Sequence, residues 1–96
     1  MSFTLTAKAE ADLEAMFDYI AEDSPHYAGR FVRELQLKMQ RISLSPRIYR
    51  ERSELPGDLR SAAHGNYIIF FREKKSHVEI VRVVHAARSL KDLLSD

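Results

Sequence analysis

The sequence predicts an α+β domain in which one short strand precedes a helical hairpin and three strands follow it. Two observations carry this prediction. In the first half of the 96 residues, apolar side chains recur every three or four positions, the period of a helix face. In the second half, short β-branched and aromatic runs alternate with turn residues, as is typical of strands. The length indicates a single domain over 1–96.

The helical half contains clear boundary signals. Residues 2–6 alternate polar and apolar side chains, which predicts a short strand, and Thr6 can then cap a helix. An apolar stripe for this first helix is formed by Ala9, Leu13, Met16, Phe17 and Ile20.

Ser24 and Pro25 suit the N-cap and first turn of a second helix. Its apolar stripe comprises Ala28, Phe31, Val32, Leu35, Met39 and Ile42. Ser45 and Pro46 end it. Because the connection between the two helices is short, we expect an antiparallel hairpin.

In the second half, the sequence predicts an antiparallel three-stranded meander after a polar loop. The loop covers 47–58, the strands cover 59–63, 67–71 and 78–84, a hairpin turn covers 73–76, and a short terminal helix covers 87–94.

Both faces of the predicted sheet are apolar. In the strand at 67–71, strict alternation places Tyr67, Ile69 and Phe71 on one side and Ile68 and Phe70 on the other. In the strand at 78–84, it places Val78, Ile80 and Val84 on one side and Val81 and Val83 on the other. The helical hairpin can cover only one face. We therefore expect the second face to be a docking surface; the alternative is that the terminal segment or a second copy covers it.

Composition excludes several classes of function. The chain has no cysteine and a net charge of +1, with a modest arginine excess in residues 47–96 that favours an acidic partner but is too weak for binding duplex DNA alone. The start of the chain lacks the pattern of a signal peptide, and no run of apolar residues is long enough to span a membrane. The four histidines lack ligand spacing, so we expect no metal site and no cofactor.

Arg82, His85 and Arg88 form a candidate site at the end of the last strand. Arginine can stabilise a developing negative charge while histidine transfers a proton. The alternative is structural: Arg82 pairs with Glu79 or with a helix carboxylate, and His85 closes the strand by a hydrogen bond.

Two further groups of charged residues have a structural and a functional interpretation. The arginines at 47, 50, 52 and 60 are interleaved with carboxylates, so they form either a solvated mixed-charge loop or a phosphate-contacting one. Asp12, Glu14 and Asp18 are better explained as the exposed side of a helix than as paired catalytic carboxylates.

The segment VEIVRVVHAAR at 78–88 resembles the terminal strand of ParE-type toxins in the RelE/ParE superfamily, often called plasmid stabilisation proteins. YIIFFR at 67–72 is similar to the preceding strand of that family, residues 59–61 to the strand after the loop, and residues 9–20 to its first helix. The resemblance covers nearly the whole chain in order.

This resemblance implies a cytoplasmic toxin of a type II toxin–antitoxin system. Its partner would be a ParD-like antitoxin of the ribbon-helix-helix class, whose tail folds over the helical hairpin and sheet, and its target would be DNA gyrase. We expect Arg60, Arg82 and Arg88 to contact the target. We expect antitoxin contacts at Phe17, Phe31, Leu35, Tyr67, Ile69 and Phe71.

RelE-type relatives instead imply a ribosome-dependent mRNA endoribonuclease. In that alternative His85 would be the acid/base, with Arg72 and Arg82 as anion stabilisers. The chain departs from that pattern, since no tyrosine follows Tyr67. Action by binding, without catalysis, is therefore the first expectation.

Overall fold

The computed structural model describes residues 2–88, in which two helices pack on one face of a five-stranded sheet. The elements are β1 (Ser2–Leu5), α1 (Ala7–Ala21), α2 (Pro25–Leu44), a 3-10 turn (Pro46–Ile48), β2 (Arg50–Glu51), β3 (Arg60–His64), β4 (Tyr67–Glu73) and β5 (His77–His85). The predicted α+β order is confirmed. The helix predicted at 87–94 lies almost wholly outside the described residues.

The sheet is mixed, with the strand order β1-β5-β4-β3-β2. Strands β3, β4 and β5 form the predicted antiparallel meander. Strand β1 pairs in parallel with β5, and the short β2 forms inside the segment predicted to be a loop. One side of β1 is paired and its other side is an outer edge of the sheet.

Both helices begin at the predicted caps. The Thr6 hydroxyl accepts a hydrogen bond from the amide of Ala9 at 3.0 Å, and the Ser24 hydroxyl accepts one from Tyr27 at 3.2 Å. These bonds satisfy amides that have no partner within a helix. Thr6 also donates to the carbonyl of Val81 at 2.7 Å, so the cap joins α1 to the sheet.

The core lies between the helical hairpin and the sheet. The helices contribute the predicted stripes, and the sheet contributes its inward side chains; the buried set is Ala9, Leu13, Met16, Phe31, Leu35, Met39, Ile42, Ala62, Ile69, Phe71, Val78, Ile80 and Val83. Burial of this apolar set is the main stabilising contribution to the fold.

A β-bulge in β5 changes which of its side chains face the helices. Phe70 pairs with Arg82 and Phe71 with Ile80, so Val81 is the extra residue. Beyond it the alternation is shifted by one position. The faces predicted for Val83 and Val84 are therefore wrong: Val83 lies in the main core, and Val84 lies on the opposite face.

The second face of the sheet is partly covered by the chain itself. Phe70 and Val84 are buried there, with Leu55 and Ile68 packed against them. The Arg52 guanidinium lies 5.6 Å from the centroid of the Phe70 ring. The prediction that this face is bare is wrong at its centre, because the loop before β3 folds onto it.

Candidate functional site

Arg82 is held in an internal ion pair with Asp12 of α1. Its Nε lies 2.8 Å from Asp12 Oδ2 and its Nη2 lies 3.0 Å from Oδ1, a bidentate arrangement. The Val83 amide also donates to Asp12 Oδ2, at 2.9 Å. The two side chains are only 10% and 11% exposed, so the pair connects α1 to the bulged part of β5.

This geometry corrects two expectations. Asp12 does not lie on the exposed side of its helix, and Arg82 does not present its guanidinium to a target. The structural alternative for Arg82, pairing with a helix carboxylate, is confirmed.

Arg60 also has structural partners. Its Nη1 donates to the carbonyl of Tyr49 at 2.9 Å, and its Nη2 lies 3.0 Å from Glu51 Oε1. These bonds fasten β3 to the chain that enters β2. The Arg60 guanidinium therefore has internal partners, and its predicted contact with the target stays a prediction.

The arginine-rich loop carries its own counter-charges. Arg52 pairs with Glu54 at 2.8 Å, and its Nη1 donates to the Ser61 hydroxyl at 3.1 Å. The Arg52 hydrogen bond holds the pKa of the Glu54 carboxyl below its usual value. Arg47 pairs with Glu73 at 3.0 Å. These pairs favour the mixed-charge interpretation over a phosphate-contacting loop.

A polar cavity of about 460 Å³ opens beside this loop. Its walls include Arg52 and Arg60, which are paired as described, and the carboxylates of Glu51, Asp58 and Glu73. The opposing charges leave it without the strong positive potential that an anion site requires.

His85 is exposed at the end of β5 and closes the strand locally. Its Nδ1 accepts a hydrogen bond from the amide of Ala87 at 3.1 Å, which confirms the structural alternative. The ring also meets Tyr67 edge to face, with 5.2 Å between centroids.

The three residues of the endoribonuclease alternative are not brought together. His85 is paired with Tyr67 at one end of the β4–β5 ladder, and Arg72 is paired with Glu79 near the other. Five strand positions separate Tyr67 from Arg72, a distance of about 17 Å at the rise of a strand. Arg82 is engaged by Asp12.

Arg88 is the exposed member of the three predicted target contacts. Its amide donates to the carbonyl of His85 at 3.0 Å, which places it in the turn after β5. Tyr67 lies at the same end of the sheet. Burial raises the pKa of the Tyr67 phenol above its ordinary value, and Tyr19 adds to the effect.

Of the six predicted antitoxin contacts, four belong to the core. Phe31, Leu35, Ile69 and Phe71 are at most 6% exposed, so they cannot form a surface in this state. Phe17 is 38% exposed and Tyr67 is half-buried, which leaves these two accessible.

Sequence reasoning missed the apolar side chains that α2 presents to solvent. Leu37 is 63% exposed, Leu44 is 66% exposed and Ile48, just beyond the helix, is 77% exposed. The signal was available, because Leu37 and Leu44 are seven residues apart and both lie off the core stripe.

The described part of the chain contains neither a candidate metal site nor a candidate membrane-spanning helix. No group of three His, Asp or Glu side chains within residues 2–88 could hold a metal ion. Neither α1 nor α2 combines the length and the apolar character that crossing a bilayer requires.

Comparison with known proteins identifies the family. Residues 3–90 match the family model described as the ParE toxin of the type II toxin–antitoxin system parDE. Toxin ParE1 of Mycobacterium tuberculosis, in strains CDC 1551 / Oshkosh and H37Rv, is 29% identical over 85 residues, covering 86% of this chain and 87% of the relative.

A solved structure titled as the chromosomal ParDE TA system from P. aeruginosa contains a similar chain. It is 28% identical, with a TM-score of 0.73, and the match covers 88% of this chain and 95% of the other. The fold and the sequence thus agree, and the chain belongs to the ParE toxin family of type II toxin–antitoxin systems.

Proposed function

We propose that this toxin acts by binding DNA gyrase, that it cleaves no RNA, and that a ParD-like antitoxin neutralises it. Both the target and the antitoxin lie in the cytoplasm in this proposal. The single observation that favours binding over catalysis is the internal Asp12–Arg82 pair, which removes the central cation of the endoribonuclease alternative.

The positions of the remaining candidate residues support the same choice. A general base must lie within hydrogen-bonding reach of the reacting group while cations contact the same centre. His85 and Arg72 lie near opposite ends of the β4–β5 ladder, so they cannot serve one small reacting group.

An antitoxin partner is supported by the exposed apolar side chains of the helical hairpin. Phe17 lies on α1, and Leu37 and Leu44 lie on α2. Large apolar side chains that stay exposed are available for contacts with a partner. The similar chain from P. aeruginosa is from a ParDE system, which favours a partner of the ParD kind.

Two assays with the purified toxin test the target. One measures supercoiling by gyrase, and the other measures mRNA cleavage on translating ribosomes. We expect supercoiling to stop while the mRNA stays intact. Cleaved mRNA together with normal supercoiling would replace this proposal with the endoribonuclease alternative.

A further inference from the structure

Aromatic side chains gather at one end of the sheet and contact one another in a continuous row. The Tyr67 ring meets His85 edge to face, with 5.2 Å between centroids, and lies 5.6 Å from the Phe31 ring. Phe31 in turn lies 5.6 Å from His64 and 5.9 Å from Tyr27. Ring contacts of this kind stabilise the pair beyond the area that it buries. The row therefore holds its members in defined positions.

Main-chain hydrogen bonds fix the backbone around this row. The Ala86 amide donates to the carbonyl of Asn66 at 2.8 Å, which joins the turn between β3 and β4 to the chain that leaves β5. The Ala87 amide donates to Nδ1 of His85 at 3.1 Å. Because a preformed surface loses little conformational freedom when a partner binds, this end of the sheet is well suited to recognition.

Part of this end of the molecule faces solvent. Tyr27 is 42% exposed, and the guanidinium carbon of Arg30 lies 5.2 Å from the centroid of its ring. Tyr19 is 72% exposed. Burial raises the pKa of the Tyr67 phenol and Tyr19 adds to the effect, which places the two side chains near each other. We call this surface the aromatic end; its exposed members are Tyr19, Tyr27, Arg30, His85 and Arg88.

The chemistry of the aromatic end fits a protein partner better than a nucleic acid. Tyrosine and arginine are enriched among the side chains that dominate binding at protein interfaces. Exposed rings also stack on nucleic-acid bases, but such sites combine the rings with a positively charged groove. Here Arg30 has Glu34 at 4.0 Å, and further carboxylates surround Tyr19 in the sequence. These exposed carboxylates, which disfavour a polyanion, are Asp18, Glu22 and Asp23.

The aromatic end is separate from the aliphatic surface of the helical hairpin. Tyr27 and Leu37 lie ten residues apart on α2, which is about 15 Å along the helix axis. Leu44 lies about 26 Å from Tyr27 along the same axis. The two surfaces therefore suit two different partners. Arg88, the exposed residue among the predicted target contacts, belongs to the aromatic end.

We propose that the toxin contacts gyrase through the aromatic end, and that the contacted segment of gyrase carries apolar and acidic side chains. The apolar side chains pack on the exposed rings of Tyr19 and Tyr27, while the carboxylates meet Arg30 and Arg88. This inference rests on the proposed function, which names gyrase as the target but assigns no surface to it. The aliphatic side chains of the hairpin have no part in this contact.

Site-specific photocrosslinking gives a direct test. Because the chain has no cysteine, Tyr27→Cys introduces a unique thiol that can carry a benzophenone label. Ile48→Cys, at an aliphatic position that is 77% exposed, is the matched control. On illumination with purified gyrase and DNA, the label at position 27 should form an adduct with a gyrase subunit, and the label at position 48 should give only background. Equal yields at the two positions would overturn the assignment.

Substitutions at the exposed rings test their share of the affinity. Tyr19→Ser/Tyr27→Ser should raise the toxin concentration that inhibits supercoiling about 30-fold, since it removes two aromatic contacts. Tyr19→Phe/Tyr27→Phe retains both rings and should stay close to the wild type. Both positions are exposed, so neither double variant should lose its fold, which circular dichroism verifies. Ile48→Ser should leave inhibition unchanged.

The outcomes separate this inference from the proposed function. If the wild-type toxin does not inhibit supercoiling, both are overturned. If it does and the serine variant is equally potent, only the aromatic end is overturned and gyrase remains the target. An adduct at position 27 with DNA in place of a gyrase subunit would assign the surface to nucleic acid and overturn the protein partner. In a mixture with the antitoxin, an adduct with the antitoxin and none with gyrase would likewise overturn this inference.

Discussion

At the scale of single residues, burial separates the arginines that maintain the fold from those available to a partner. Arg82 and Arg60 both satisfy internal acceptors, whereas Arg88 is exposed in the turn after β5. Their sequence contexts do not reveal this difference. The Asp12 partner of Arg82 is 70 positions away along the chain.

Arg82→Ala should destabilise the protein strongly, because it leaves the Asp12 carboxylate buried without its cation. Removing one partner of a buried ion pair costs about 3–5 kcal/mol. Urea unfolding measures this loss as a lower midpoint at unchanged slope. A midpoint equal to that of the wild type would show that the pair contributes nothing to folding.

Arg88→Ala should reduce inhibition of supercoiling without changing stability, since the side chain is exposed and an exposed substitution alters stability little. We expect a loss of about tenfold in potency, as for a charged interface contact. Arg50→Ala, at an exposed arginine of β2, is the matched control. Equal potency of the Arg88 and Arg50 variants would remove Arg88 from the target surface.

Tyr67 predicts a specific response to alkaline pH. Burial raises its pKa in the folded state above 10.0, so the folded state holds the phenol proton more tightly than the unfolded state does. The resulting stability is fully present below pH 10.0 and is lost as pH rises through the folded pKa. Urea midpoints of the wild type should therefore fall over this range more steeply than those of Tyr67→Phe; parallel curves would contradict the assignment.

At the scale of elements, the Thr6 side chain links the start of α1 to the bulge in β5. One hydroxyl accepts from the amide of Ala9 and donates to the carbonyl of Val81. The bulge carbonyl lies where the regular ladder is interrupted, so this bond supplies a donor there. The cap and the bulge consequently depend on the same side chain.

Thr6→Ala should cost about 1–2 kcal/mol, because it removes a helix cap and a second hydrogen bond together. Thr6→Ser keeps the hydroxyl and should retain most of the stability. Urea unfolding of the two variants provides the comparison. Equal losses in both would mean that the Thr6 methyl group, and not its hydroxyl, stabilises this junction.

The elements themselves were largely predictable, because their signals are local. Thr6, Ser24 and Pro25 marked both helix starts, and apolar periodicity identified the helices and the three long strands. The bulge at Val81 was not predictable, since it arises from the pairing of β5 with β4 and from contacts with Thr6. Its consequence was the wrong face for Val83 and Val84.

At the scale of the whole molecule, the family was predictable from the sequence, whereas four of the six residues expected on the antitoxin surface are buried. Strand motifs distributed along the chain indicated the ParE fold. The packing of the helical hairpin against the sheet determines which apolar residues remain exposed. Phe31 and Leu35 are therefore buried in the core, whereas Leu37, which lies off the core stripe of α2, is exposed to solvent.

The three-dimensional arrangement of the strands also explains why the candidate catalytic residues do not form one site. Arg72 and His85 lie on neighbouring strands, but the antiparallel register of β4 and β5 places them near opposite ends of the ladder. The molecule thus combines an internal framework of paired charges with an exterior suited to partners. This division of roles supports the binding mechanism that we propose.

The most direct test of this account removes the Arg82 guanidinium while keeping the fold. In Asp12→Asn/Arg82→Met, the introduced amide oxygen can still accept from the Val83 amide, and no charge is left buried. Once the double variant is shown to be folded, growth arrest on induction without antitoxin is measured. The account predicts arrest comparable to that of the wild type; a folded variant that permits normal growth would contradict it.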